Sequence, residues 1–593
     1  MAFLLAAFGP RPASDWARSV RDLGDVGSGG ARLSDWHDEA ATVRVGVLDP
    51  TGTLVGPVRA ARATVVAAVG RVEGGGEDGG AAVLEAYGRA GAAGLASLRG
   101  EYAYALWDGG ERSLFVGCDA VGLQAPAYTW NGRTFVLSTR AVVLLGRPDV
   151  PRAFDPVYLA HALGGLWART ASATAFEGVR RMVGGELIRV SARGLERLEG
   201  ARLKFRASPV RGRDEAVREL AEALDGAVAE EARTGTSCVA LSGGVDSCVV
   251  ATALAKRQPE LHAVSIVSPD GSPGDEPTLA PLTAAFPGMH HHRILLTGDT
   301  DSLQPGPLSD DPVCAGPILQ SGRAALLRAA RDLGFRRVFN GEGGDEIFDM
   351  AWRPGDLIRQ VAVGRVFSAL GSRALARRIL RDFIAGGRGP VSALLRERAR
   401  KRVRARRPWL RASFWESPSL ASAWQEAVSF GRGRSARERL PEILGAHGRY
   451  WRTQELVRLS SGVEGSSPLL RQSIVELAGS FSAEAAIDLR HGKVVLRRLA
   501  AQRVPAALAW RPKNEPLSDW LITRWVANET HARRLVSQIK DSRFLSHLVD
   551  TATLVQSIDA ARDLPEGHWL ASSIVELAAV VEWVTTVEAR WGL

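Results

Sequence analysis

Two regimes of apolar spacing divide the chain. From Met1 to about Arg206, short apolar runs alternate with glycine-rich turns: Phe3-Leu4-Leu5, Val43 to Leu48, Tyr102 to Trp107, Ser113 to Val116, Thr134 to Ser138 and Glu186 to Val190. Runs of this kind bounded by turn residues predict strands, and helical spacing near Gly80 to Arg89 and Pro156 to Leu163 adds two helices. The expected unit is a layered α+β domain over residues 1–206. Residues Ser208 to Gly212 read as a linker, followed by an amphipathic helix from Asp214 to Glu231 with Val217, Leu220, Ala221, Leu224 and Val228 on its apolar face.

Residues 213–593 form the second expected domain, which opens as a βαβ series. Strands are predicted at Cys238 to Leu241, Ala263 to Val267, Arg293 to Leu296 and Arg337 to Phe339, with helices after the first strand and over Arg323 to Leu333. Such alternation predicts a mostly parallel, doubly wound α/β sheet whose ligand site lies beyond the carboxyl ends of its strands. After about Phe348 the spacing is helical to the end of the chain.

With 593 residues, the chain exceeds the size at which one hydrophobic core keeps growing, which agrees with two domains. Its four cysteines, Cys118, Cys238, Cys248 and Cys314, lack metal-ligand spacing and read as reduced packing residues. Met1 to Pro10 is apolar but short and lacks a basic lead, so no signal peptide is expected. No uninterrupted run predicts a membrane span, and a cytoplasmic location is expected. The formal net charge of +10 raises nucleic acid, anionic membranes and acidic substrates as partners. Arginine richness from a GC-rich genome is the favoured account of that charge. Trp409, Trp415 and Trp424 near basic residues have the chemistry to stack on bases, but such tryptophans more often line a core. His290-His291-His292 resembles a metal cluster; neighbours on a strand point to opposite faces, so one ion is not expected to take all three.

The most informative chemistry sits where the first parallel strand meets its helix. In Ser242-Gly243-Gly244-Val245-Asp246-Ser247, two glycines let the backbone close around an anion, two serines offer hydroxyls, and helix-start amides point at the ligand. Leu241, Ser242, Gly243, Gly244, Asp246 and Ser247 are therefore candidate nucleotide contacts, together with Ile266 at the end of the next strand. The loop has no lysine of the Walker A kind. A second loop, Asn340-Gly341-Glu342-Gly343-Gly344-Asp345-Glu346, follows the Val338 strand, and a parallel sheet is expected to bring it beside the first. Gly341, Gly343 and Gly344 are further nucleotide-contact candidates. Asp246 and Asp345 are the expected ligands of Mg2+, which favours few protein oxygens plus phosphate.

The first loop resembles the pyrophosphate loop of ATP pyrophosphatases, which cleave ATP between its α and β phosphates to adenylate a substrate. Trp510-Arg511-Pro512-Lys513-Asn514-Glu515-Pro516, Gly100 to Asp108, Gly462-Val463-Glu464, Pro468-Leu469-Leu470 and Lys493 to Arg497 extend the likeness to the asparagine synthetase superfamily. That resemblance implies a glutaminase-like (Ntn-type) first domain, a synthetase second domain with a helical extension, and use of ATP and Mg2+. By the same resemblance Lys513 contacts the adenylate and the tetrahedral intermediate, and Glu342 is a candidate acceptor of the amine's proton, provided its pKa suits.

The chain departs from glutamine-dependent members in having Ala2 where they carry the nucleophilic cysteine, so an amine carried by the substrate itself is expected. Two families fit: β-lactam synthetases, which usually have tyrosine at the position of Glu342, and lasso peptide cyclases, macrolactam synthetases that join a peptide's N-terminal amine to an Asp or Glu side chain. Glu342 and an arginine-rich expansion between Arg373 and Arg411 favour the cyclase. The family then implies a precursor peptide substrate, with a leader-peptide recognition protein and a leader peptidase as partners. An RNA-modifying pyrophosphatase-loop protein is the contrasting alternative, disfavoured because paired cysteines are missing, so no nucleic acid partner is expected.

Overall fold

The computed structural model describes residues 3–9, 32–38, 42–49, 58–73, 79–148, 150–166, 171–232, 236–258, 260–267, 282, 285–295, 309–312, 317–352, 390–430, 435–488, 490–511, 516–565 and 568–593. Lys513, Cys314 and residues 373–389 of the arginine-rich expansion lie outside them.

Among its described residues the first half contains twelve strands: β1 (Phe3–Phe8), β2 (Arg32–Asp38), β3 (Val43–Asp49), β4 (Val58–Ala61), β5 (Thr64–Val72), β6 (Gly100–Asp108), β7 (Ser113–Cys118), β8 (Ala127–Trp130), β9 (Phe135–Ser138), β10 (Arg180–Arg181), β11 (Leu187–Ser191) and β12 (Gly194–Leu198). They form two six-stranded sheets, ordered β10-β8-β9-β1-β3-β2 and β12-β11-β7-β6-β5-β4. Period-two alternation explains the layering. Leu4 and Ala6 of β1 face inward with Val45 and Val47 against Val65, Ala67, Ala103, Ala105 and Trp107 of the other sheet. Phe3, Leu5 and Ala7 face the opposite way, into a core shared with helices from the end of the chain. Helix α1 (Gly79–Leu95), broken at Ala90-Gly91, covers the outer face of the second sheet through Val83, Ala86 and Tyr87. Helix α2 (Pro156–Leu163) starts at Asp155, whose carboxylate accepts from the Tyr158 amide at 2.7 Å.

Helix α3 (Arg213–Glu231) then leads into a five-stranded sheet of β13 (Ser237–Ala240), β14 (His262–Val267), β15 (His290–Leu295), β16 (Arg337–Phe339) and β17 (Glu464–Ser466). Its order is β15-β14-β13-β16-β17, and every pair is parallel. Helices α4 (Val245–Ala255) and α5 (Pro317–Asp332) follow β13 and β15, and α6 (Ala436–Ser461) and α7 (Val494–Ala501) belong to the helical extension. The expected helical region thus also supplies one strand, β17, which pairs Glu464 with Arg337 and Ser466 with Phe339. At three residues it is too short to register as a period.

The expected linker is a docked segment. Val210 is buried, its amide donates to the Ser480 carbonyl, and its carbonyl accepts from the Ser482 amide, each at 2.9 Å. Charged clamps also join the two halves. Arg99 grips Glu476 in a fork at 3.1 and 2.8 Å. Asp310 accepts from the amides of Ala141 and Val142 at 2.8 and 3.2 Å and pairs with Arg181 at 3.1 Å.

Trp409 and Trp415 are buried core residues rather than exposed stacking surfaces. Helix α8 (Trp569–Trp591) is, among the described residues, the one helix whose length and composition would allow it to cross a membrane, but most of it is buried within the protein. Its Ile574, Val581, Val584 and Val587 pack on the first sheet's outer core.

Candidate active site

Because β13 and β16 are neighbours, the loops that follow them meet. The Ser242–Ser247 turn is held from within: the two hydroxyls lie 3.2 Å apart, and Ser247 Oγ donates to the Gly244 carbonyl at 3.1 Å. Gly243 has φ of +75°, a left-handed conformation that disfavours other residues. Gly244 caps the eleven-residue α4, so the helix's unpaired amides face the loop. Leu241 is buried; its carbonyl accepts from Ser265 Oγ at 2.5 Å, tying the loop's base to β14 beside Ile266, which is half-buried.

The second loop approaches so closely that side chains are excluded. A Cβ on Gly341 would stand 2.6 Å from the Ser247 amide nitrogen, and one on Gly344 would stand 2.4 Å from Asp246 Cγ. Gly343 has φ of +94° and lies against Leu470. These glycines serve loop-to-loop contact as well as any ligand.

Asp246 and Asp345 converge, and Lys493 stands between them. Its Nζ lies 2.5 Å from Asp246 Oδ2 and 2.9 Å from Asp345 Oδ1. Lys493 is left-handed (φ +56°) at the cap of α7, which aims its side chain across the loops. Burial pushes the Asp246 carboxyl up, with the charges of Asp345 and Glu346 adding to this and the Lys493 ammonium opposing it. Desolvation works against the Lys493 charge, yet the two carboxylates hold its pKa above the ordinary value. Asp246 Oδ1 is buried with no hydrogen-bond partner. A buried orphan carboxylate oxygen beside a second carboxylate is a donor set suited to a hard divalent cation. The arrangement fits Mg2+.

Glu342 faces away from this trio. It is locked between Arg323 (2.5 Å) and Arg458 (3.0 Å) and accepts from Ser467 Oγ at 3.2 Å. Although burial disfavours its charge, the guanidinium groups of Arg458 and Arg323 hold its carboxyl below the usual range. Asn340 braces the loop, its side-chain oxygen accepting from the Glu342 amide and Ser467 Oγ at 2.9 and 3.0 Å.

Lys493, Arg323 and Arg458 were not singled out from the sequence. The available signal was Lys493 to Arg497 as part of the family likeness, without a role for the lysine. Arg497 ties the next segment to the site, donating through Nη1 to the carbonyls of Ala509 and Arg511, each at 2.9 Å.

A glycine-serine loop at a helix start, a contacting glycine-acid loop and a cation shared by two carboxylates define a phosphate-handling α/β site at the carboxyl edge of a parallel sheet. The asparagine synthase family model matches residues 219–584, a glutamine amidotransferase domain model matches residues 77–199, and the chain belongs to the asparagine synthase family of ATP-dependent amide ligases. It is 26% identical over 521 residues to the Mycobacterium bovis protein named "Putative asparagine synthetase (glutamine-hydrolyzing)", covering 82% of this chain and 76% of that one. It is 28% identical over 296 residues to "Amidase chry2" of Gibberella zeae, covering 45% of this chain and 42% of that one. The chain thus spans less than half of that relative's length. A solved glutamine phosphoribosylpyrophosphate amidotransferase of B. subtilis is 11% identical, with a TM-score of 0.24 over 40% of this chain and 60% of that chain, too remote to carry an argument.

Proposed function

We propose that the chain is a lasso peptide cyclase: it adenylates an Asp or Glu side chain of a precursor peptide and lets the peptide's N-terminal amine close a macrolactam. The observation that carries this reading is the meeting of Asp246, Asp345 and Lys493 where the two loops touch. The site suits in-line displacement at the α phosphorus, with the substrate carboxylate attacking and pyrophosphate leaving. The amine then attacks the acyl carbon, forms the amide and displaces AMP.

Ser242, Gly243, Gly244 and Ser247 are assigned to the leaving pyrophosphate, and Gly341, Gly343 and Gly344 to the close walls of the cleft. Asp246 and Asp345 would hold Mg2+, which supplies charge neutralisation for the leaving phosphates. Lys493 supplies a fixed ammonium against charge that builds during both steps, and Lys513 is proposed to join it on the adenylate. Holding amine and acyl-adenylate on one substrate makes the second step effectively unimolecular.

An amine carried by the substrate itself fits the state of the described thiols. Among the described residues, Cys118, Cys238 and Cys248 are buried and free, and burial pushes all three thiols up, Cys238 and Cys248 to about 12. Thiols of that kind are poor nucleophiles for glutamine hydrolysis. Glu342, clamped by two arginines, is a weak base; the role its contacts support is positioning Arg323 and Arg458 at the cleft wall. Under this reading a leader-recognition protein and a leader peptidase deliver the core peptide in the cytoplasm. Peptide-dependent ATP–pyrophosphate exchange tests the adenylation step: exchange that requires a carboxylate-bearing core peptide supports it, and exchange driven by free aspartate alone overturns it.

A further inference from the structure

We propose that Glu260, His262, His290 and His292 form a binding site for one divalent transition-metal ion, of the Zn2+ class, on the outer edge of the parallel sheet. Strand alternation argues against three consecutive histidines sharing an ion, but it places His290 and His292 on one face. The neighbouring strand supplies the missing partner: β14 and β15 run in register with His262 opposite His290 and Val264 opposite His292. His291 turns to the other face, where its Nε2 lies 2.7 Å from Ser265 Oγ.

The three outward imidazoles are gathered. The His262 ring stacks on those of His290 and His292 with centroids 4.7 and 5.5 Å apart. Phe335 supports His262 and His292 from the side, at 5.0 and 6.0 Å. His262 Nδ1 lies 3.2 Å from His292 Nε2, and His290 Nε2 lies 3.6 Å from Glu260 Oε2. Metal-bond lengths of about 2.0–2.1 Å give a tetrahedral edge of about 3.3 Å between ligand atoms, so both separations bracket what zinc needs. Candidate ligand atoms of Glu260, His262 and His290 all fall within 4.8 Å of one another. Imidazole nitrogens with one carboxylate are the donor set of Zn2+, Co2+, Ni2+ and Cu2+ rather than of Mg2+.

The cluster sits at the amino ends of β14 and β15, whereas Ile266 and the nucleotide loops lie toward the carboxyl ends. Four residues of strand separate His262 from Ile266, about 13 Å. An ion here pins β15, an exposed edge strand, to β14. Its role is to hold the sheet edge, and it takes no part in the ligase chemistry.

The test uses untagged, EDTA-stripped full-length protein titrated with Zn2+, and separately with Co2+ monitored by visible absorption. The expected result is one Zn2+ per chain, a raised melting temperature, and Co2+ bands typical of tetrahedral nitrogen and oxygen ligation. His262→Ala with His290→Ala weakens Zn2+ binding by at least about 100-fold, while His291→Ala leaves it intact. No stoichiometric Zn2+ uptake by the unsubstituted protein, octahedral Co2+ bands, or equal loss in His291→Ala would each overturn the proposal. The Co2+ spectrum keeps the test decisive even if the double variant fails to fold.

Discussion

Lys493 and Asp246, 247 positions apart in sequence, form a 2.5 Å ion pair at the point where the two glycine loops meet. The ammonium satisfies one carboxylate oxygen while the other remains buried and unpartnered. Lys493→Met therefore removes the cation proposed to meet the transition-state charge and leaves two carboxylates facing each other. Pyrophosphate release should fall by about 10²–10³-fold, the loss typical of a deleted electrostatic group. The melting temperature of the nucleotide-free protein should drop as well, and MgATP should restore part of it. Stopped-flow pyrophosphate detection and thermal unfolding check both.

Gly344→Ala should abolish nucleotide binding without unfolding the protein. Its new Cβ would lie 2.4 Å from Asp246 Cγ, so one loop must retreat and the carboxylates separate. Gly226→Ala is the control, because that glycine lies within α3 with nothing within 4 Å of the new methyl. There the substitution should stabilise by about 0.4–1 kcal/mol. Calorimetric titration with ATP and thermal unfolding distinguish the two.

Glu342→Gln should slow adenylation and amide closure together. The glutamine leaves Arg323 and Arg458 without their shared charge, so the cleft wall shifts before either step. Were Glu342 instead the base for the amine, ATP–pyrophosphate exchange would survive and only amide formation would fall. Measuring both in one variant decides the matter.

The inter-domain clamp makes the protein acid-sensitive. Against its burial, Arg140, Arg181 and two backbone amides hold the Asp310 carboxyl below its usual range. A folded-state pKa below the unfolded value of about 3.9 gives stability that is complete above that pH and lost as pH falls through the folded pKa. Glu342 acts in the same direction. Asp310→Asn should destabilise by about 3–5 kcal/mol at neutral pH, because two arginines lose a buried partner, and should flatten the loss of stability below about pH 4. Thermal unfolding across pH 3 to 7 reads both effects.

The two loops were legible in the sequence because phosphate binding compresses into adjacent glycines, hydroxyls and an acid, flanked by strand and helix patterns. The parallel order then placed them together without further information. Lys493 was not legible as a site residue, since its relation to Asp246 arises from a left-handed residue and a helix packed from far along the chain. The arginine clamp on Glu342 was hidden for the same reason: Arg323 lies on α5 and Arg458 on α6, and neither helix marks them as different from its other arginines. Strands β4, β10 and β17 have four, two and three residues, too few to reveal a period. In the sequence the histidine run reads only as neighbours on opposite strand faces, because the cross-strand partner His262 needs the parallel register.

The most direct measurement is the mass of the product when purified protein is incubated with ATP, Mg2+ and a leaderless core peptide bearing an internal Asp or Glu. The account predicts a peptide lighter by one water, unreactive at its N-terminal amine, formed with one AMP and one pyrophosphate. Unchanged peptide alongside asparagine made from aspartate and ammonia would contradict it.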